Sequence, residues 1–188
     1  VKAVREAIGP HVDIIIENHS FTDSQSSSQI GKIVKKYNIF YFEEPSTPVP
    51  SLTRYIHEET GMPIATGERI YTRWQYLEYF KLNAIQVIQP DIGTCGGISE
   101  VKKVCDMGVQ VHACGSPIST AAAIQVESVI PNFVIHEHHT YALSPYNIEL
   151  CKYNLQPVNG KFEVPDRPGI GNELSEKAFE NCDMVTIQ

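Results

Sequence analysis

The chain has 188 residues, a formal charge of −7 at pH 7 and a pI near 5.5. That length supports one domain with a real core, and the acidic balance argues against a nucleic-acid partner, which needs a basic face. No apolar run approaches the roughly 18 residues of a membrane span, and the opening VKAVREAIGP does not read as a signal peptide.

In chain order, that opening reads as the tail of a helix feeding a strand-like run at 11–16. Further apolar runs follow at 39–42, 62–65, 84–88, 109–111 and 133–135. Between them lie segments of helical character: SSSQIGKIVKKY, SLTRYIHEET, TRWQYLEYF, SEVKKVCDM and STAAAIQVESV. In the first of these, Ile30, Ile33, Val34 and Tyr37 fall on one helical face, with Lys32, Lys35 and Lys36 outside it. Strict alternation of strand and helix predicts an α/β fold with a parallel sheet and crossover helices. Five cysteines (Cys95, Cys105, Cys114, Cys151 and Cys182) are odd in number, scattered and without a CxxC pair. Reduced thiols in a cytoplasm are therefore expected, rather than a disulfide framework or a structural zinc site.

The ends of the apolar runs share a chemical feature. Glu17, Glu43, Glu68, Asp91, His112 and Glu137 each close one, at separations of 26, 25, 23, 21 and 25 residues. One ionisable group at the carboxyl end of each strand is the pattern of a (β/α)8 barrel mouth, where residues distant in sequence converge. A doubly wound sheet fits less well, because no glycine-rich turn follows the first strand. Six strands are visible, so the expectation is the C-terminal part of such a barrel, strands three to eight, over residues 1–140. A tail at 141–188 is expected to pack back on the barrel or a capping domain. The first two strands and an N-terminal capping domain are expected to lie outside the chain. SEVKKVCDM runs into GVQVHA with almost no loop, where about 2–6 residues are usual. Either residues are absent between Met107 and Gly108, or the helix is truncated.

Why an apolar run such as IFYFEEPSTP should end in carboxylates is a question of charge. A buried acid is costly unless it is paired, metal-bound or solvated. Glu17, Glu43 and Glu68 on three successive strand ends supply oxygen ligands that suit one Mg²⁺ per site, with positions left for water and substrate. Glu44 points the other way in a strand and reads as a support rather than a ligand. His19, two residues beyond Glu17, lies on the same side. His112 beside Asp91 reads as a general base, since the carboxylate fixes the imidazole tautomer and raises its basicity. Glu137, within VIHEHH, suits an oxyanion partner if protonated. The flanking His136, His138 and His139 offer a histidine-rich metal cluster as a weaker alternative.

The stretches IIIENHSF, YFEEPSTP, IATGERIY, VIQPDIGTCGGISE, HACGSPISTAAA, NFVIHEHH and VPDRPGIG together resemble the enolase superfamily. The likeness is to its mandelate racemase/muconate lactonizing group, and more closely to acid-sugar dehydratases of the galactonate dehydratase type. The resemblance implies Mg²⁺ on Glu17, Glu43 and Glu68, a His112–Asp91 base, and His19 as a second acid/base residue. It implies that Glu137 hydrogen-bonds the substrate, with His19 and Pro117 also lining the substrate site. One departure stands out: the first ligand position is usually Asp, and this chain has Glu17.

The reaction so implied is loss of water from a sugar acid. His112 removes the proton α to the carboxylate, a metal-stabilised enediolate forms, and His19 protonates the departing hydroxyl to leave a 2-keto-3-deoxy acid. A racemase or epimerase of a 2-hydroxy acid would use the same histidines without losing water. A non-catalytic sensor that keeps the metal site is the alternative of another class. The expected partners are a small acid sugar and further copies of the chain in a homo-oligomer, with neither nucleic acid nor membrane.

Overall fold

The computed structural model describes residues 1–105, 108–183 and 185–186. Helix α1 (Lys2–Ile8) leads into strand β1 (Ile14–Glu17), and α2 (Ser24–Val34), ending in a 3-10 turn at Lys35–Tyr37, crosses to β2 (Ile39–Glu43). Then come α3 (Pro50–Thr60), β3 (Ile64–Thr66), α4 (Thr72–Lys81) and β4 (Val87–Ile88). Two short helices, α5 (Ile92–Cys95) and α6 (Ile98–Val104), precede β5 (Gly108–Val109), and α7 (Pro117–Glu127) follows it. The strands form one parallel sheet in the order β1-β2-β3-β4-β5. Neighbours in sequence are neighbours in space, as short crossovers require. The α/β reading of the sequence holds.

Local sequence explains the element ends. Asp23 accepts the backbone N–H groups of Gln25 and Ser26, both at 2.9 Å, and so caps α2. Pro50 opens α3, and Gly61, at φ 62, closes it in the left-handed conformation. Ser116 caps α7 with Pro117 in its first turn. The main core fills the space between sheet and helices. Phe42, Ile64, Ile88 and Val109 from the strands meet Ile56, Tyr76, Val101 and Val104 from the helices, all essentially inaccessible. Tyr41, Ala65 and Val87 point to the opposite face of the sheet and form a smaller cluster with Ile15.

Several sequence expectations are corrected. Ile33 is 63% exposed, whereas Ser27, Ser28, Gly31 and Val34 are the buried positions of α2. A side chain on Gly31 would meet the Thr60 methyl at 2.5 Å, so α2 approaches α3 through a glycine and rotates Ile33 outward. The strands are also shorter than the apolar runs. The run at 133–135 forms only an isolated bridge, with Val109 bonded to Asn132 O at 3.0 Å and to Val134 N at 2.8 Å. Pairing does not extend because the next inward N–H, that of Val111, is taken by the Glu127 carboxylate at 3.3 Å. Among the described residues, five strands and a bridge therefore stand where six strands were expected. The expected break between Met107 and Gly108 lies outside the described residues.

From residue 140 on, the described residues form a 3-10 turn (Thr140–Leu143) and two short helices, α8 (Pro145–Leu150) and α9 (Glu176–Glu180). This segment lies on α7 through Gln125 Nε2, which donates to Pro165 O at 3.1 Å, and Phe162 packs edge-on against His136 and His138. Among the described residues no disulfide is formed, and no helix is long and apolar enough to cross a membrane.

Candidate active site

The carboxyl ends of the strands place the ionisable groups along one rim. Glu17 and Glu43 are register partners at the ends of β1 and β2, so their side chains stand side by side. Glu43 is buried and Glu17 exposed. Burial, then the neighbouring charge of Glu17 and a hydrogen bond with it, push the Glu43 carboxyl up to about 9. The Glu43 carboxyl thus keeps its proton near neutral pH. Glu17 also accepts the His19 N–H.

Glu137 lies across the same cleft, which encloses about 340 Å³. One of its oxygens accepts Ala113 N–H at 3.2 Å and Gln110 Nε2–H at 3.4 Å, and the other lies 2.8 Å from His139 Nε2. Gln110 is in turn held by the Tyr41 hydroxyl beneath the cleft.

A second cluster adjoins the first. Glu68, two residues past β3, meets His19 Nε2 at 3.3 Å through one oxygen and His112 Nε2 at 3.2 Å through the other. Arg69 Nη2 lies 2.9 Å from it. The hydrogen bond from His112 holds the Glu68 carboxyl below its ordinary value, with help from the nearby cations and against burial. On its other side, His112 Nδ1 lies 3.0 Å from Asp91 Oδ2. Asp91 caps α5, and its remaining oxygen accepts the Thr94 N–H at 2.7 Å and the Thr94 hydroxyl at 2.9 Å. Burial alone would lower the His112 pKa; hydrogen bonds to Asp91 and Glu68 outweigh it and push it up to about 10. Asp91 falls to about 2, chiefly through His112. With Nδ1 committed to Asp91, Nε2 is the atom presented to the rim.

The structure therefore brings His19, Glu68, His112 and Asp91 into one chain of contacts, and Glu17 and Glu43 into a pair. Among the described residues no three His, Cys, Asp or Glu side chains gather as a metal-holding group. Glu68 is turned to its histidines and Arg69 rather than to the other two acids. The donor set nevertheless fits a hard cation: Glu17 and Glu43 stand side by side, and burial first, then the charge of Glu17, raises the Glu43 carboxyl, a cost that a bound cation would offset. Pro117 stands apart from the acids, in the first turn of α7, lining a small cleft with Thr120, His138 and Asn147. The three histidines of VIHEHH go to separate partners: His136 to Glu127 at 2.6 Å, His138 to Gln156 at 3.3 Å and His139 to Glu137. Sequence reasoning missed Arg69 and Gln110. Arg69 follows Glu68 directly and Gln110 precedes His112 by two, which puts Gln110 on the His112 side of the strand.

A family model described as enolase C-terminal domain-like matches residues 1–178. The D-xylonate dehydratase of Haloferax volcanii is 31% identical over 96% of this chain and 45% of its own length. The arabinonate dehydratase of Saccharolobus solfataricus is 29% identical over 96% of this chain and 50% of its own. The chain thus spans about half the length of the curated relatives it matches. A solved member of the enolase superfamily from Salmonella Typhimurium superposes with a TM-score of 0.97 at 49% identity, covering 100% of this chain and 50% of that one. Five parallel strands with carboxylates and a histidine at their carboxyl ends agree with that match, and the chain belongs to the enolase superfamily, as a C-terminal domain of the mandelate racemase/muconate lactonizing group.

Proposed function

We propose that the chain carries the catalytic rim of a Mg²⁺-dependent dehydratase acting on a sugar acid. The observation that carries the reading is the approach of two histidines to the two oxygens of Glu68, one of them backed by Asp91. An elimination needs that pairing: a base for the α-proton and an acid for the leaving hydroxyl. The names of the relatives, dehydratases of xylonate and arabinonate, point the same way. Glu17, Glu43 and Glu68 are the residues that would hold the ion. Bound there, Mg²⁺ supplies positive charge against the substrate carboxylate and against the negative charge that builds on it as the α-proton leaves.

The protein's own residues do the rest. His112 Nε2 faces the rim and would lose the Glu68 contact that helps keep it protonated if Glu68 held the ion, while Asp91 keeps the proton on Nδ1 and the ring fixed. His112 takes the proton from C2. His19 gives a proton to the C3 hydroxyl, which leaves as water. The C2–C3 enol that results takes up a proton at C3 and becomes a 2-keto-3-deoxy acid. Glu137 hydrogen-bonds the substrate from across the cleft, its own position fixed by the Ala113 N–H and by His139.

The test uses the full-length protein and a panel of hexonates and pentonates. Chelation of divalent cations should abolish formation of a 2-keto-3-deoxy acid from at least one of them, and added Mg²⁺ should restore it. Binding of a sugar acid with Mg²⁺ present but no product would sink the reading in favour of a non-catalytic binding protein.

A further inference from the structure

One carboxylate, that of Glu44, ties together the chain beside three residues of the candidate rim, His19, Glu43 and Glu68. Glu44 follows Glu43, Ser20 follows His19, and Gly67 precedes Glu68. Glu44 is fully buried, and a buried carboxylate is costly unless its oxygens are hydrogen-bonded. Its partners are the hydroxyls of Ser20 and Thr66, the Gly67 N–H at 3.0 Å and Arg69 Nη1 at 3.2 Å. The Glu44 carbonyl also accepts the Ser20 N–H at 2.8 Å. Glu44, Ser20 and His19 have φ of 41, 60 and 48, in the left-handed region that non-glycine residues keep only where their surroundings fix them.

Arg69 extends this hub to the rim. One guanidinium nitrogen holds Glu44 while the other lies 2.9 Å from Glu68. A planar guanidinium can brace two carboxylates at once, whereas a lysine ammonium is a single point charge.

We propose that Glu44 and Arg69 are positioning residues: Glu44 locks together the three chain segments that carry His19, Glu43 and Glu68, and Arg69 orients the Glu68 carboxylate between His19 and His112. Its consequence for turnover rests on the dehydratase reading above; the orientation itself does not.

The test is Arg69→Lys in the full-length protein, read first by ¹H–¹⁵N spectra of the histidine rings. The Nε2 resonances of His19 and His112 should both move while the melting temperature holds. Turnover should fall about 10–100-fold with KM little changed, the usual effect of removing an outer partner of a ligand. In Arg69→Ala, added methylguanidinium should recover part of the loss and methylammonium should not. Ser20→Ala removes a single donor to Glu44 and should move the His19 resonance more than that of His112. Unmoved histidine resonances in Arg69→Lys overturn the proposal whatever the turnover, and so does a fall in turnover matched by loss of melting temperature. If the resonances move but the wild type dehydrates no sugar acid, the dehydratase reading fails and the positioning role stands.

Discussion

Gly67→Ala probes how tightly the rim is built. Gly67 has φ 152, and a Cβ there would lie 2.3 Å from the Tyr76 hydroxyl, 2.8 Å from Gln89 N and 2.9 Å from Gln89 C, where ordinary contact begins at 3.4 Å. Tyr76 has no room to withdraw: it is fully buried, and its hydroxyl donates to Gly67 O at 3.1 Å. The Gln89 backbone is held just as firmly, since its N–H donates to Thr66 O at 3.1 Å. Overpacking of this kind costs about 1–3 kcal/mol, and the backbone conformation adds a similar about 1–3 kcal/mol for a residue with a side chain. At about 2–4 °C per kcal/mol for a chain of this size, the melting temperature should fall by roughly 5–20 °C. Thermal unfolding followed by circular dichroism reads this directly. An unchanged melting temperature would refute the reasoning that β3 and β4 are packed too closely here for any side chain.

Three further outcomes concern Asp91, His19 and Asp23. Asp91→Asn should leave the fold intact, because the remaining oxygen can still accept the Thr94 N–H, yet reduce turnover by about 10²–10⁴-fold as the His112 base loses its partner; unaltered turnover would remove Asp91 from the mechanism. His19→Asn should still exchange the substrate α-proton with deuterium while product formation collapses, provided the wild type is first seen to exchange; equal loss of both would end the division of labour between the histidines. Asp23 is held below its ordinary 3.8 by the Ser26 hydroxyl first and by the Ser26 and Gln25 N–H groups. Its contribution is therefore full above 3.8 and lost as pH falls through the lower folded-state value, so Asp23→Asn should flatten the acid limb of the melting curve; superimposable curves would refute the cap.

The alternation of elements was legible because each apolar run is bounded by a helix of clear amphipathic or capped character. The strand-end acids were legible because chain direction alone puts Glu17 and Glu43 in register once the strands are parallel. What escaped was whatever depends on absent atoms or on distant pairs. Hydrophobic spacing favours Ile33 as a core residue, but the contact surface of α2 is set by the missing side chain of Gly31, which no hydrophobic pattern records. The run at 133–135 has strand composition, yet its pairing is cut short by Glu127, a helix residue 16 positions from Val111. Arg69 reads as an ordinary surface cation until Glu44 and Glu68 are seen on its two sides. Glu68 reads from the sequence as a third acid beside Glu17 and Glu43; its turn toward two histidines is a balance of charges that spacing does not carry.

The proposed role of His112, as the base of a dehydratase, stands or falls on turnover. The most direct test is to measure 2-keto-3-deoxy acid formed by full-length wild type and His112→Asn with Mg²⁺ and the same sugar-acid panel. Product is expected from the wild type, with a fall of at least about 10²-fold in the variant, the usual worth of a general base. Product from the variant at the wild-type rate, or an epimerised acid with no keto product from the wild type, would contradict it.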